Sequence, residues 1–212
     1  MCWNEHVSIN TFVFGILVLL LIAFNNKYSK YKIKEFESIY TYFFMVSFIS
    51  MQFIEFVLWR NINNELINKL MSIVGSFLLV IQPIASLTML ENIELRNKMI
   101  LTYSIPAFIY FFYNIINRNI YTIVSKRTGH LKWNWIPNDL FGYIFYLFFL
   151  YFSLFVNKYY IGIILSSSLF AIFYYYYYTD GTAGSLWCWS VNIVMLYYLI
   201  KLLIYLPFIE RK

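Results

Sequence analysis

One apolar stretch of the chain carries side chains suited to binding or proton transfer. Gln52, Glu55 and Trp59 are three and seven positions apart, which places them on one face of an α-helix. A carboxyl group is costly inside a membrane and tends to face the protein interior or a cavity. Glu55 could therefore accept a proton, bind a cation or act as a general acid or base. The alternative is a structural role as a partner for His6 or Lys132.

A second polar face is predicted near the end of the chain. Ser185, Trp189 and Asn192 are four and seven positions apart, again a helical spacing. Asp180 and Thr182 precede them and, like Ser185, are residue types that cap helix starts. The alternative for this helix start is a site where exposed amides favour an anion. Together the two faces predict an outward pocket lined by Gln52, Glu55, Trp59, Trp189 and Asn192.

The rare residue types cluster along the chain. All six tryptophans, both cysteines and both histidines lie at four places: the N-terminus, the end of the second span, the loop between the fourth and fifth spans, and the start of the last span. These four places share one side if the chain crosses a membrane seven times. This distribution adds His6, His130, Trp133 and Trp135 to the predicted ligand-binding set. Tryptophan at a membrane boundary is also an ordinary anchor, so the prediction depends on the accompanying Glu and His.

The two cysteines allow two interpretations. Cys2 and Cys188 would lie on the same side, where an oxidising compartment permits a disulfide, but two buried thiols fit the sequence as well. Cys2, His6, His130 and Cys188 are too few soft ligands to predict a zinc site, so no metal is predicted. No motif indicates a cofactor.

Composition defines the elements that must position these residues. The chain has 212 residues, of which 61% are hydrophobic and 12% charged, which predicts an integral membrane protein. A helix needs roughly 20 apolar residues to cross a bilayer. The continuous runs predict one all-α domain, residues 1–212, built as a seven-transmembrane helix bundle; six spans is the alternative if the fifth and sixth runs form one helix. The predicted spans are 7–24, 39–59, 70–90, 99–116, 140–156, 159–178 and 185–208.

The loop between the fourth and fifth spans has a different pattern. Residues 120–124 and 130–136 are β-prone and flank a polar turn, which predicts a short extracytoplasmic β-hairpin. Alternation in its second strand would place Leu131, Trp133 and Trp135 on one face. That tryptophan face could lie on the bilayer surface or on the mouth of the bundle, as a lid.

Basic residues predict the orientation. Lys27, Lys30, Lys32 and Lys34 follow the first span, whereas the segment before it has no basic side chain. This bias predicts an extracytoplasmic N-terminus and a cytoplasmic C-terminus. The first apolar run lacks a basic leader and a small-residue cleavage site, so it is expected to be a retained anchor. The formal charge of +6 is spread over short loops and indicates lipid headgroups rather than nucleic acid as a partner.

Several motifs resemble a known family. They are 1–8 (MCWNEHVS), 51–64 (MQFIEFVLWRNINN), 82–83 (QP), 129–135 (GHLKWNW) and 184–189 (GSLWCW). Over nearly the whole chain they resemble an uncharacterised multi-pass membrane protein family of large DNA viruses. The resemblance implies a viral or algal-type origin and a host or virion membrane. It implies no activity and supplies no catalytic residues.

The residues favour binding or transport of a small solute or ion through the pocket around Glu55. One alternative is a membrane enzyme acting on lipid or thiol groups, with Glu55 or His6 as base and Cys188, Ser185 or Thr182 as nucleophile. Ceramidase-like seven-helix hydrolases resemble the chain in span number but hold zinc with three histidines, and this chain has two. The other alternative is a structural scaffold of a virion or organelle membrane.

Lys201 in the last span raises the further possibility of a retinal protein. The third span has no Asp or Glu in its interior to act as counter-ion, which argues against it. Lys201 also lies near enough to the inner end of the span to extend its amine to the boundary. The sequence therefore leans away from both an enzyme and a retinal pigment.

Overall fold

The predicted order of elements is confirmed: seven helical segments, with a two-stranded antiparallel sheet between the fourth and fifth. The computed structural model describes residues 4–135 and 140–208. The last segment, Ala183–Phe208, is continuous in direction but divided into α7, α8, a π-helical turn and a final helical turn, α9. The helices are α1 (Glu5–Tyr28), α2 (Ile39–Arg60), α3 (Glu65–Leu87), α4 (Ile93–Asn117), α5 (Leu140–Val156), α6 (Tyr160–Tyr177), α7 (Ala183–Trp189), α8 (Val191–Ile200) and α9 (Leu206–Phe208), with the π-helical turn at Lys201–Tyr205; the strands are β1 (Thr122–Val124) and β2 (Leu131–Trp133).

Asn and Ser side chains define where the first four helices begin. Asn4, Asn64 and Asn92 each accept a hydrogen bond from the backbone amide three residues on, at 2.9, 3.2 and 3.0 Å. Ser38 accepts from the amide of Tyr40 in the same way at the start of α2. These caps satisfy amides that have no partner within the helix.

A turn separates α5 from α6, so the chain has seven helical segments rather than the alternative of six. Lys158 has a φ of 61°, a left-handed conformation that ends the helix direction of α5. Asn157 donates from Nδ2 to the carbonyl of Met89 at 3.1 Å, which ties this turn to the end of α3. The predicted helical hairpin is therefore present, and no single over-long helix forms.

The helices pack through small residues and short polar contacts. A Cβ atom at Gly15 would lie 2.9 Å from Ile49, so α1 and α2 approach more closely there than any larger residue permits. Between α3 and α5, Ser86 and Ser153 are fully buried, and their hydroxyl oxygens lie 2.6 Å apart. Gln82 of α3 bonds the Ser47 carbonyl of α2 and accepts from the hydroxyl of Tyr146 of α5.

Outward faces of the bundle are strongly apolar. Among the described residues, six helical segments are long and apolar enough to cross a membrane, with Ala183–Phe208 counted as one, and α5 is a shorter apolar helix of 17 residues. No residue of α6 is fully buried, and its outward positions include Ile161, Ile164 and Ile172. Apolar exposure of this extent is unfavourable in water and marks a surface that contacts another apolar phase.

The predicted hairpin is confirmed with shorter strands. Thr122 pairs with Trp133 and Val124 with Leu131, and Gly129 closes the turn with a φ of 69°. The tryptophan face lies on the bundle mouth: Leu131, Trp133 and Trp135 are all buried. The rings of Trp133 and Trp135 stack with centroids 4.9 Å apart.

Candidate functional site

Glu55 is the centre of a buried polar cluster that joins α2 to α7. Its Oε2 accepts a hydrogen bond from Gln52 Nε2 at 3.0 Å, and its Oε1 accepts one from Ser185 Oγ at 2.7 Å. All three side chains are almost completely inaccessible. The sequence placed Glu55 and Ser185 on opposing faces, and the structure brings these two residues together.

Cys188 connects this cluster to the wall of a cavity. It lies three residues beyond Ser185 on α7, about one helical turn, and is a buried free thiol. Cys2 lies outside the described residues, so the bridge between the two cysteines stays a prediction. Cys188 lines a cavity of about 330 Å³ at the hairpin end of the bundle, which we call the hairpin cavity.

The hairpin cavity is bounded by α3, α4, α5, α6, α7 and the hairpin. Its wall is mostly apolar and aromatic, and Trp133 and Trp135 cover it from the hairpin side. Two wall residues carry buried polar atoms without a hydrogen-bond partner among the described residues, namely Oδ1 of Asn114 and Nε1 of Trp133. Asn114 Nδ2 donates to the carbonyl of Tyr110 at 2.8 Å, so only the Oδ1 of this side chain lacks a partner. Neither Gln52 nor Glu55 is among the wall residues.

The other predicted ligand-binding residues are dispersed. His6 is 79% exposed and lies 3.7 Å from Glu5, which also pairs with Arg60. Asn192 Nδ2 donates to Thr11 Oγ1 at 2.9 Å and so joins α8 to α1. Trp59 packs, partly buried, against the cluster that contains the hairpin tryptophans, and Trp189 is partly buried on α7. Through these contacts neither His6 nor Asn192 bonds to the Glu55 cluster.

The hairpin is fastened to the connection between α6 and α7 by a carboxylate. Asp180 accepts from Ser125 Oγ at 2.8 Å and from Thr128 Oγ1 at 2.7 Å. Arg127 donates to Thr179 Oγ1 beside it at 3.1 Å. Of the three residues interpreted as helix caps, Thr182 occupies the N-cap position of α7 but makes no side-chain cap bond. The side chains of Asp180 and Ser185 bond to distant elements instead.

His130 lies on the hairpin at this fastening. Its ring meets the ring of Tyr177 edge-on, with centroids 5.8 Å apart, and its side chain is buried. Burial lowers the pKa of His130 from its ordinary value of 6.5, because the charged imidazolium is poorly solvated there, while the charge of Asp180 opposes this shift. The folded protein therefore prefers neutral His130.

This preference predicts an acid-sensitive contribution to stability. A histidine with a lowered folded-state pKa contributes fully above its unfolded value of 6.5, and that contribution is lost as the pH falls below it. We expect the melting temperature in detergent to fall less between pH 7.5 and 5.5 for His130→Gln than for the parent. His6→Gln is the matched control, because His6 is the other histidine and is exposed. Equal pH slopes for parent and His130→Gln would contradict the prediction.

Two residues outside the predicted site set also shape the site. Asn68 bonds both backbone groups of Thr122 and so fixes the hairpin on α3. Asn114 supplies the unpartnered oxygen in the hairpin cavity. Neither residue has a sequence signal, since each is an isolated Asn in a helix. Within residues 4–135 and 140–208, no three His, Cys, Asp or Glu side chains are grouped closely enough to hold a metal ion.

Comparisons with known proteins add no relationship. No protein-family model matches the chain, and no curated protein or solved structure matches it either. The resemblance to a viral membrane protein family stays a prediction.

Proposed function

We propose that this chain is a multi-pass integral membrane protein that binds a small amphipathic solute in the hairpin cavity. Six long apolar helices and their exposed apolar faces support the membrane assignment. The lysines that follow α1 support an orientation in which the hairpin end is extracytoplasmic. In this arrangement a solute enters from the bilayer or from the outer boundary.

One observation carries the binding proposal: an apolar cavity of about 330 Å³ has an unpartnered acceptor and an unpartnered donor in its wall. Binding sites for small molecules are typically apolar with a few placed polar groups, and about 300 Å³ is the lower end of their range. A buried polar atom without a partner is unfavourable, so a ligand group that bonds to it gains affinity. Asn114 Oδ1 can accept a hydrogen bond and Trp133 Nε1 can donate one, so these residues suit an otherwise apolar molecule that carries a hydroxyl or amide group.

The Glu55 cluster has a positioning role in this proposal. Ser185 bonds Glu55 on the buried side of α7, and Cys188 one turn further lines the cavity. The cluster therefore holds the cavity wall in place rather than contacting the solute. This differs from the pocket expected around Glu55, because the solute-contacting polar groups are those of Asn114 and Trp133.

Protection of Cys188 tests the proposal. In nanodiscs, the full chain with Cys2→Ser retains Cys188 as its single thiol, and its alkylation by excess N-ethylmaleimide is followed over hours by mass spectrometry. We expect 1-decanol to slow this alkylation and decane to slow it less, because decane cannot bond Asn114 or Trp133. We expect Asn114→Leu to weaken protection by 1-decanol about 2- to 10-fold, the effect of one lost hydrogen bond.

A control reports any general effect of the solvents on the bilayer. The variant Cys2→Ser/Cys188→Ser/Asn63→Cys carries its thiol on the exposed loop between α2 and α3, and its alkylation should not respond to either solute. Equal protection of Cys188 by 1-decanol and decane, or none by 1-decanol at saturation, would exclude polar recognition in this cavity. Protection that survives Asn114→Leu and Trp133→Phe unchanged would do the same.

A further inference from the structure

A second cavity, of about 200 Å³, lies at the end of the bundle opposite the hairpin. It is bounded by α2, α5, α6, α8 and the turn between α1 and α2, and we call it the loop cavity. Its inner wall is apolar and reaches Trp187, which also lines the hairpin cavity. Its outer wall holds two charged residues, Glu35 and Lys158, and several tyrosines.

Glu35 lines this cavity, and one oxygen of its carboxylate has no hydrogen-bond partner among the described residues. Its Oε1 accepts from Lys201 Nζ at 2.7 Å. Its Oε2 is buried and has no hydrogen-bond partner among the residues that the structure describes. A carboxylate carries about four acceptor positions, so one ion pair leaves capacity for a second donor.

The turn that carries Glu35 is held in a fixed geometry. Asn26 accepts from the amide of Ile33 at 2.8 Å and donates to the carbonyls of Ile33 and Phe36 at 3.0 and 3.2 Å. These bonds flank Glu35 on both sides. The carboxylate is therefore positioned before any ligand arrives, which reduces the entropy lost on binding.

Tyrosine rings share the wall of this cavity with Glu35. Tyr159, Tyr160, Tyr197 and Tyr198 line the cavity, and the ring of Tyr198 is anchored edge-on against Phe36 with centroids 4.8 Å apart. Tyrosine faces attract cations, most strongly cations of low hydration such as substituted ammonium groups. Burial raises the pKa of Tyr159, and the charges of Glu35, Glu91 and Glu37 raise it further.

We propose that the loop cavity binds an organic ammonium group, with Glu35 as its counter-charge, tyrosine rings around it and an attached apolar chain directed toward Trp187. The carboxylate and rings select the positive head, and the apolar inner wall accommodates the chain. A headgroup phosphate would meet Lys158 at the mouth, so the same chemistry suits a choline or ethanolamine phospholipid or a free amphipathic amine. This inference is independent of solute binding in the hairpin cavity, whose wall does not include Glu35.

Titration with decyltrimethylammonium tests the inference. The full chain in phosphatidylglycerol nanodiscs is titrated, and binding is followed by tryptophan fluorescence. We expect Glu35→Gln to weaken the affinity about 10- to 100-fold, the effect of losing a charge-assisted contact. Uncharged 1-decanol should bind the parent and Glu35→Gln equally, because its binding does not use this carboxylate.

Three further variants distinguish binding from a purely structural role of Glu35. Lys201→Met removes the ion pair but keeps the carboxylate, so it should bind the probe at least as tightly as the parent. Tyr197→Leu should weaken binding several-fold, on the scale of one cation–π contact, whereas Tyr197→Phe should retain it. If Glu35→Gln and Lys201→Met lower the melting temperature alike and neither changes probe affinity, Glu35 only anchors Lys201 and the inference is overturned.

A second set of nanodiscs identifies the source of the ammonium group. If phosphatidylcholine nanodiscs weaken probe binding in the parent but not in Glu35→Gln, the lipid headgroup itself occupies the cavity. If the parent binds the probe equally in both lipids and Glu35→Gln does not bind it, the site takes a free amine. Equal probe affinity of the parent and Glu35→Gln in both lipids overturns the inference.

Discussion

Replacement of Asn68 by Ala is expected to release the hairpin from the bundle and lower the free energy of unfolding by about 2–4 kcal/mol. Asn68 Nδ2 donates to the carbonyl of Thr122 at 2.8 Å, and Asn68 Oδ1 accepts from the amide of Thr122 at 2.9 Å. Thr122 is 1% exposed, so both backbone groups lose their bonds in a buried place. Each buried group left without a partner costs about 1–3 kcal/mol.

The same substitution should disturb the cover of the hairpin cavity. Thr122 Oγ1 lies 2.8 Å from Ser72 Oγ and accepts from Trp135 Nε1 at 3.1 Å, so Asn68, Thr122 and Trp135 form one network. A Cβ atom at Gly75 would lie 3.3 Å from the ring of Trp135, which shows how directly this tryptophan packs on α3. Movement of Thr122 therefore shifts the tryptophan face away from its support.

Thermal unfolding in detergent measures the stability loss, and tryptophan emission measures the release of the hairpin. We expect Asn68→Ala to lower the melting temperature and to shift emission to longer wavelength below the transition, because Trp133 and Trp135 gain solvent. Asn63→Ala is the control, since Asn63 is an exposed Asn of the neighbouring loop. A variant Asn68→Ala with the melting temperature of Asn63→Ala would show that the network adds nothing to stability.

The helices follow from sequence because their signals are local. A continuous apolar run of membrane length, or an Asn or Ser cap, lies within the residues of a single helix or directly before it. The run 39–59, for example, corresponds to the helix Ile39–Arg60. The hairpin is equally local, with β-prone runs around Gly129. Its docking is not local: Asn68 and Thr122 are 54 positions apart, and an isolated Asn carries no indication of its partner.

The predicted polar face of the last segment was correct only in part. Helical spacing placed Ser185, Trp189 and Asn192 on one side, and the segment passes through Ser190 in a right-handed helical conformation. Ser185 nevertheless bonds to α2, whereas Asn192 bonds to α1. Residues seven positions apart lie about two turns apart along the helix axis, so the same face can meet different neighbouring helices.

Replacement of Glu55 by Ala is expected to separate α7 from α2 and destabilise the protein by about 2–4 kcal/mol. The substitution removes the acceptor of Ser185 and of Gln52 and leaves a void in a fully buried place. Glu55→Gln is the matched control, because its amide oxygen can still accept from Ser185 and its volume is nearly unchanged. We expect Glu55→Gln to lose about 1 kcal/mol, the net value of one buried hydrogen bond. Thermal unfolding in detergent compares the two variants.

A double-mutant cycle assigns the loss to the bond between the two helices. Ser185→Ala alone should destabilise less than Glu55→Ala, and the double variant should be more stable than the sum of the single effects implies, because the two side chains share one bond. Additive effects would show that Glu55 acts through contacts other than Ser185.

Because Cys188 lies one turn from Ser185 on α7, Glu55→Ala should also speed alkylation of Cys188 in the Cys2→Ser background, whereas Ser167→Ala on the outer helix α6 should not. If Glu55→Ala lowers stability but leaves the alkylation rate of Cys188 unchanged, the cluster stabilises the protein without holding the cavity wall in place.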